Sequence, residues 1–448
     1  MLRAVLAVVL ILGAVAPTSA IPSIGELKAD RSLCSNATEE YYVYDNGNWV
    51  KKKEPVDWWM CIDVKGIRAD YNSAAKKAIE LKSIGKDSPY YGGEWIDPKR
   101  GIVFVVVTDE RVAESYKGKN VVVVKGKYSY GDLYRWKREL GKALANDIVM
   151  GNILSMVGPD VQRNKVFVGI KLINDTTLDR IKILAKKLGI PLDAIVVGKA
   201  EIFLPDITKS PKKSVKISIS EVKLSRTDRI RPLVGGIKIQ SRKICTLGFI
   251  AVRNGVEGFV TAGHCGNVSN AVYQPEFTGN FREDLVGRIA ADPGGPRYSD
   301  AVFVENPIVN SIFRIFNEHN PSKHYPVFSE MQAQSEGMYV CKGGITTGET
   351  CGWIEEVGYD IIGTYPEYGT IYDQVLATYV SKEGDSGGPV YYDPLDTWIR
   401  NWCIDRYGVK CVDIYGIQVA LASYGSRTYS VYSPISGIER DLGNLRTR

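Results

Sequence analysis

Histidine is nearly absent from this sequence: three occur in 448 residues, His264, His319 and His324, and only His264 stands beside a cysteine. No Cys-x-x-Cys pair occurs either, so the ligand spacing of a structural zinc site is missing and no metal is expected. Beyond the N-terminus, no apolar run approaches the roughly 20 residues that a membrane-crossing helix needs. Lys and Arg never gather into a long stripe. The net charge of +6 is spread along the chain, which leaves no footprint for nucleic acid. Internal repeats and low-complexity tracts are also missing.

What is present is ordinary globular usage, 44% hydrophobic and 24% charged, enough for two or three domains. The first twenty residues begin with Arg3, pass through the apolar run Ala4 to Val15 and end in Thr18-Ser19-Ala20. That order predicts a signal peptide over 1–20, hence export to a secreted location with no membrane span once the signal is removed. Eight cysteines, an even count in an exported chain, favour disulfides. Neighbour pairing is the simplest connectivity: Cys34 with Cys61, Cys245 with Cys265, Cys341 with Cys351, and Cys403 with Cys411. Asn36, Asn174 and Asn267 each open a triplet that could accept a glycan.

Residues 21 to about 205 read as a small α/β region. Ile102 to Val107 and Val121 to Val124 are continuous apolar runs suited to buried strands, and Tyr134 to Met150 carries helical spacing. Lys165 to Ile170 reads as a strand. Thr176-x-x-Asp179 then predicts a capped helix stopped by Gly189 and Pro191, and Ala194 to Val197 completes a strand-helix-strand unit. Thr208 to Arg231, with Lys209, Lys212, Lys213, Lys216, Arg226, Arg229 and Arg231 among Ser and Pro, reads as an exposed linker suited to proteolysis. From about Val234 short apolar runs are split by Gly, Asn and Pro, the texture of an all-β barrel or sandwich.

Two segments carry chemistry. Gly384-Asp385-Ser386-Gly387-Gly388-Pro389 is a glycine-rich turn whose amides, those of Gly384 and Ser386, can converge beside a hydroxyl. Phe259-Val260-Thr261-Ala262-Gly263-His264-Cys265 is an apolar strand ending in small residues and a histidine. Gly-x-Ser-x-Gly also fits the elbow of an α/β-hydrolase, but that arrangement needs its base after the serine, and no histidine follows Ser386. The order is therefore His264, then an acid, then Ser386. Asp300, at the head of the apolar run Ala301 to Val304, is the candidate acid that would hold the imidazole in one tautomer. The alternative is a turn aspartate like Asp284 or Asp292. His319 and His324, around Pro321, read as surface residues.

At these residues the chain resembles the chymotrypsin-like (S1) serine peptidases, and more closely the streptogrisin and alpha-lytic subgroup. The likeness runs from about Val234 to the C-terminus. Cys245-Thr246-Leu247-Gly248-Phe249 before Thr261-Ala262-Gly263-His264-Cys265, the loop Cys341 to Cys351, and GDSGGP each match. The resemblance implies an all-β double six-stranded barrel over 232–448, with the triad in the cleft between barrels. It implies that 21–231 is an α/β pro-region acting as intramolecular chaperone and inhibitor. It also implies a secreted monomeric endopeptidase, made as a zymogen, that takes a protein or peptide substrate and needs no cofactor. A catalytically inactive binding protein on the same fold is the alternative.

Lys342 sits where the subgroup usually carries an arginine, so the resemblance implies a buried ion pair with Asp385. The subgroup's cysteine shortly before the serine turn is missing. Instead Asp393 to Asp413 is inserted, with Cys403 and Cys411, and is expected to form a stapled hairpin near the cleft. Val380 with the wall strand Val419-Ala420-Leu421 suggests an apolar or broad substrate pocket.

Overall fold

The computed structural model describes residues 21–27, 34–62, 69–204, 224–295, 297–306, 308–365 and 369–448. The expected signal peptide and the linker from 208 to 223 lie outside the described residues. Among those described, no helix is long and apolar enough to cross a membrane.

The N-terminal region builds two α/β layers. In the first, Ile102–Val107 lies between antiparallel Tyr91–Asp97 and parallel Val121–Lys125. Successive strand side chains face opposite sides, so both faces of this sheet must be covered. Val103, Val105 and Val107 pack with Ala74, Ala78 and Leu81 of helix Tyr71–Gly85, while Phe104 and Val106 pack with Trp59 and Trp95. In the second layer Lys165–Ile170 runs parallel to Ile195–Phe203, with helix Asp175–Lys187 as the crossover. The cap of that helix lies two residues before the expected Thr176. Asn174 Oδ1 accepts the Thr177 N–H at 2.9 Å, and Thr177 Oγ1 accepts the Asn174 N–H at 3.0 Å. Helix Tyr130–Ala145 likewise starts before the expected Tyr134, because Ser129 caps it. It stops before Met150 because Asp147 Oδ1 takes the Val149 and Met150 amides at 3.0 and 3.1 Å, folding a turn there.

The remainder is mostly β and builds two barrel-like sheets. The first has eight strands where six were expected, with Val256–Ala262 and Ala301–Glu305 adjacent near its centre and the C-terminal strand Leu445–Arg446 added at one edge. The second closes on itself. Tyr339–Gly344, Gly348–Tyr365, Gly369–Ala377, Arg427–Pro434, Val412–Tyr424 and Pro389–Tyr392 pair in that order, and the last returns to the first.

The two regions share a sheet. Asp360 and Ile361 of the second barrel pair with Val157 and Met156, and Leu421 to Tyr424 pair with Phe203 back to Ala200. The N-terminal region is therefore bonded to the barrel as neighbouring strands rather than tethered by the linker alone. Arg226, at the end of the expected linker, is buried and donates to Gly236 O at 2.9 Å. Arg226 and Ile230 are thus anchored in the fold, while Leu224, Ser225, Arg229 and Arg231 around them stay exposed as expected.

The insertion forms a helix, Thr397–Tyr407, where a hairpin was expected. Asp396 caps it by accepting the Trp398 N–H at 2.9 Å, and Gly408 ends it at φ +66, a left-handed position that glycine adopts without steric cost. Cys403–Cys411 ties the helix to the following strand.

Candidate active site

His264 sits in a short turn, Gly263–Cys265, that ends strand Val256–Ala262. Asp300 immediately precedes strand Ala301–Glu305. These strands pair with Ala262 opposite Ala301, so sheet register alone brings the two residues together. Two further contacts set the angle: Gly263 N–H donates to Asp300 O at 3.0 Å, and the Cys245–Cys265 disulfide fixes the residue after the histidine. The His264 N–H then donates to Asp300 Oδ1 at 3.1 Å, and His264 Nδ1 lies 2.5 Å from Asp300 Oδ2. Asp300 is fully buried, and His264 is 9% exposed. A carboxylate held against Nδ1 leaves Nε2 as the nitrogen that can take a proton from outside.

Ser386 belongs to a turn that only glycine can complete. Gly384 and Gly387 have φ of +92 and +83. A Cβ on Gly387 would collide with Thr261 Oγ1 and Thr246 O, so the turn lies directly against the strand that carries His264. Thr246 ties the two: its N–H donates to Ser386 O at 2.8 Å, its hydroxyl to Gly384 O at 2.7 Å, and its carbonyl accepts Thr261 Oγ1 at 2.9 Å. On the other side Gly387 N–H donates to Gln418 O at 2.7 Å. Among the described residues the Gly384 and Ser386 amides meet no protein acceptor.

Lys342 and Asp385 meet beneath this turn, both fully buried, with Nζ 3.1 Å from Oδ2. Asp385 also accepts the Thr346 and Lys382 amides at 2.8 and 3.0 Å, and Lys342 also donates to Gly348 O at 3.0 Å. Burial pushes the Lys342 ammonium down, against the pull of Asp385.

Val380 is 56% exposed, and its carbonyl accepts the Thr350 hydroxyl at 2.5 Å. Val419 and Ala420 are buried, and Leu421 is half-buried and paired on one side with Ser430 and on the other with Phe203. All four neighbour cysteine pairs are bonded. Among the described residues one group has three potential metal ligands, Cys34, Asp57 and Cys61, and its two sulfurs are bonded to each other.

His319 is exposed, 3.7 Å from Glu349. His324 departs from the surface role expected for it. Its ring packs on Phe316 at 5.2 Å, and burial, with Arg314 and Arg226 nearby, holds its pKa below the usual range. Residues that sequence reading passed over include Thr246, Gln418, Ser433 and Gln374. Asp300 N–H donates to Ser433 Oγ at 2.9 Å, and Ser433 Oγ–H donates to Gln374 Oε1 at 2.6 Å. None has a local signal, because each acts on a partner far away in the chain.

No family model matches the chain. An uncharacterized protein of Archaeoglobus fulgidus is 69% identical over 93 residues, 20% of this chain and 97% of that protein. Streptogrisin-C of Streptomyces griseus is 33% identical over 148 residues, 32% of this chain and 29% of its own length. Among solved structures, the chymotrypsin of Cellulomonas bogoriensis is 26% identical, with 48% of this chain and 96% of that one covered and a TM-score of 0.34. With the His264 and Ser386 motifs in this order on a mostly β fold, and streptogrisin-C among its sequence matches, the chain is similar to the chymotrypsin-like (S1) peptidases.

Proposed function

We propose that this chain is the precursor of a secreted serine endopeptidase. The observation that carries the reading is the His264–Asp300 pair beside the Ser386 turn. His264 Nε2 takes the Ser386 Oγ proton as Oγ bonds to the substrate carbonyl carbon, and the Gly384 and Ser386 amides hold the oxygen that becomes negative. His264 returns the proton to the leaving amine as the C–N bond breaks. Water, deprotonated by the same imidazole, then releases the acyl group from Ser386. Asp300 steadies the imidazolium, and no cofactor enters. Lys342 with Asp385 fixes the turn from below.

The region 21–231 is the inhibitory and chaperoning pro-region in this reading. Its strand Ile195–Phe203 occupies the edge of Leu421 to Tyr424, the stretch continuing the wall strand along which an extended peptide substrate would pair. Val380, Val419, Ala420 and Leu421 favour an apolar or broad substrate preference, and the mature enzyme is a monomer.

Treating secreted material with a fluorophosphonate probe tests the chemistry, with label expected on Ser386 and lost in Ser386→Ala. A folded protein that never takes up label at Ser386 overturns it. N-terminal sequencing of the same material tests the precursor reading, with a mature start expected near residue 232.

A further inference from the structure

Asp300 is held not only through its carboxylate but through its own backbone, by a chain of buried groups that leads to the N-terminal region. Its N–H donates to Ser433 Oγ at 2.9 Å, and the Ser433 hydroxyl donates to Gln374 Oε1 at 2.6 Å. The Gln374 amide spends both its N–H groups locally, on Tyr298 O at 2.9 Å and Tyr372 O at 2.6 Å. Ser433 and Gln374 are 0% and 1% exposed, so no water competes for these bonds. A hydroxyl with one acceptor in reach and an amide with every group used have one arrangement each. The bonds therefore fix position as well as add energy.

The residue before Gln374 is strained. Asp373 has φ +57, a left-handed conformation that costs a non-glycine residue free energy unless its surroundings impose it. The surroundings are a helix of the N-terminal region. Lys137 Nζ, fully buried, lies 2.6 Å from Asp373 Oδ1 and 2.9 Å from Asp360 Oδ1. Arg138 donates to Asp373 Oδ2 at 2.7 Å, the Tyr134 hydroxyl to the same oxygen at 2.8 Å, and the Arg138 guanidinium lies 3.9 Å from the Tyr372 ring centre. Asp373 N–H closes the knot on Asp360 Oδ1 at 3.1 Å.

We propose that Gln374 is a positioning residue for Asp300, acting through Ser433, and that helix Tyr130–Ala145 sets Gln374 by clamping Asp373 in its left-handed conformation. This rests on the reading of His264, Asp300 and Ser386 as a triad, which it deepens. It assigns the N-terminal region a route to the catalytic acid separate from the strand it lays along the wall strand. Asp441, which accepts the Tyr298 and Ser299 amides at 2.8 and 2.7 Å, holds the preceding loop but not the Asp300 N–H.

The test uses the full chain and two readouts. In a Ser386→Ala background, the low-field Nδ1 proton between His264 and Asp300 is observed by NMR, a signal that needs no catalysis. Gln374→Met, which keeps the volume and removes the bonds, is expected to broaden or shift it, and Ser433→Ala to do the same. The double variant should be no worse than either single, because both cut one relay. Lys137→Met with Arg138→Met should also disturb the signal, and adding Asp373→Gly, which permits the left-handed backbone without a clamp, should restore it. In active protein, Gln374→Met is expected to lower kcat per titrated Ser386 by about 10²-fold with KM little changed, the cost of a misplaced catalytic group.

An unchanged resonance in Gln374→Met overturns the relay, as does additive loss in the double variant. Failure of Asp373→Gly to restore the signal overturns the clamp. A loss of titratable sites with kcat per site unchanged makes Gln374 merely structural and also overturns the proposal. If the NMR results hold while Ser386 never labels, the triad reading fails and the relay stands.

Discussion

Lys342 and Asp385 form an ion pair from which both side chains have lost all contact with solvent, 3.1 Å apart under the turn that presents Ser386. Asp385 is further saturated by the Thr346, Thr347 and Lys382 amides, so its carboxylate is a hub for two segments that lie about 40 residues apart in sequence. Removing only the lysine leaves a buried charge without its counter-ion. Lys342→Met in the Ser386→Ala chain is expected to cost about 3 kcal/mol or more of unfolding free energy, measured by urea titration. A loss under about 1 kcal/mol would show that the amides alone neutralise Asp385.

Ser386 itself is a different case, because in the proposed mechanism its hydroxyl serves chemistry rather than packing. Ser386→Ala is expected to cut turnover on the order of 10⁶-fold while leaving the urea midpoint close to that of the parent. Wild-type turnover in that variant would remove Ser386 from the mechanism.

The join between the N-terminal region and the second barrel buries carboxylates on both sides, which makes the stability of the full chain depend on pH. Glu355 accepts the Trp59 indole N–H at 3.3 Å, and Glu336 accepts Gln162 Nε2 at 3.2 Å. Burial raises the Glu355 carboxyl to about 7, with Glu39 and Asp57 adding to the rise and the Trp59 bond and Arg427 opposing it. Burial also raises Glu336, together with Asp160 and Glu94 and against Gln162 and Lys82. It raises Glu356 together with Glu336, Asp160 and Glu355 and against Arg163. An acid whose folded pKa lies above its unfolded one binds more protons when folded. Its stabilising effect is then complete at low pH and falls as pH rises from the unfolded value toward the folded one. For Glu355 that window runs from 4.5 to about 7. The loss across it is about 3 kcal/mol. Glu355→Gln in the Ser386→Ala chain should match its parent near pH 4 and exceed it by a margin in urea midpoints that grows up to about pH 7 and then levels off. A margin independent of pH, or one of opposite sign, would contradict the buried neutral state.

The legible parts of the site were those where chemistry and backbone demand the same residues over a short stretch. Gly384 and Gly387 stand at positive φ around Ser386, so GDSGGP records a turn as well as the proposed nucleophile. Asp300 was readable because an apolar run follows it directly, and sheet register then places it against His264. Gln374 and Ser433 left no trace: they are 59 residues apart and look like ordinary strand residues until the barrel closes. The inserted helix was hidden for a different reason. Trp398 and Ile404 are 71% and 47% exposed, so its apolar residues follow no single face, and only Asp396 and Gly408 at its ends marked it. The shared sheet was unreadable in principle, because Phe203 meets Leu421 through backbone groups that every residue carries.

Gly387 offers the sharpest check on how closely the serine turn and the His264 strand are pressed together. Its φ of +83 alone costs an alanine about 1 kcal/mol, as at any left-handed position. Here the added Cβ would also overlap Thr261 Oγ1, Thr246 O and the Ala262 N, atoms of two strands with no room to withdraw. Overpacking of that kind costs about 1–3 kcal/mol more. Gly279 has φ +102 but open space around it, so Gly279→Ala meets only the backbone cost. Gly387→Ala is therefore expected to lose more stability than Gly279→Ala and to abolish fluorophosphonate labelling, since the turn can accept the methyl group only by moving Ser386 away from the His264 strand. Equal losses from the two substitutions, with labelling intact, would mean that the serine turn is not pressed against Thr261.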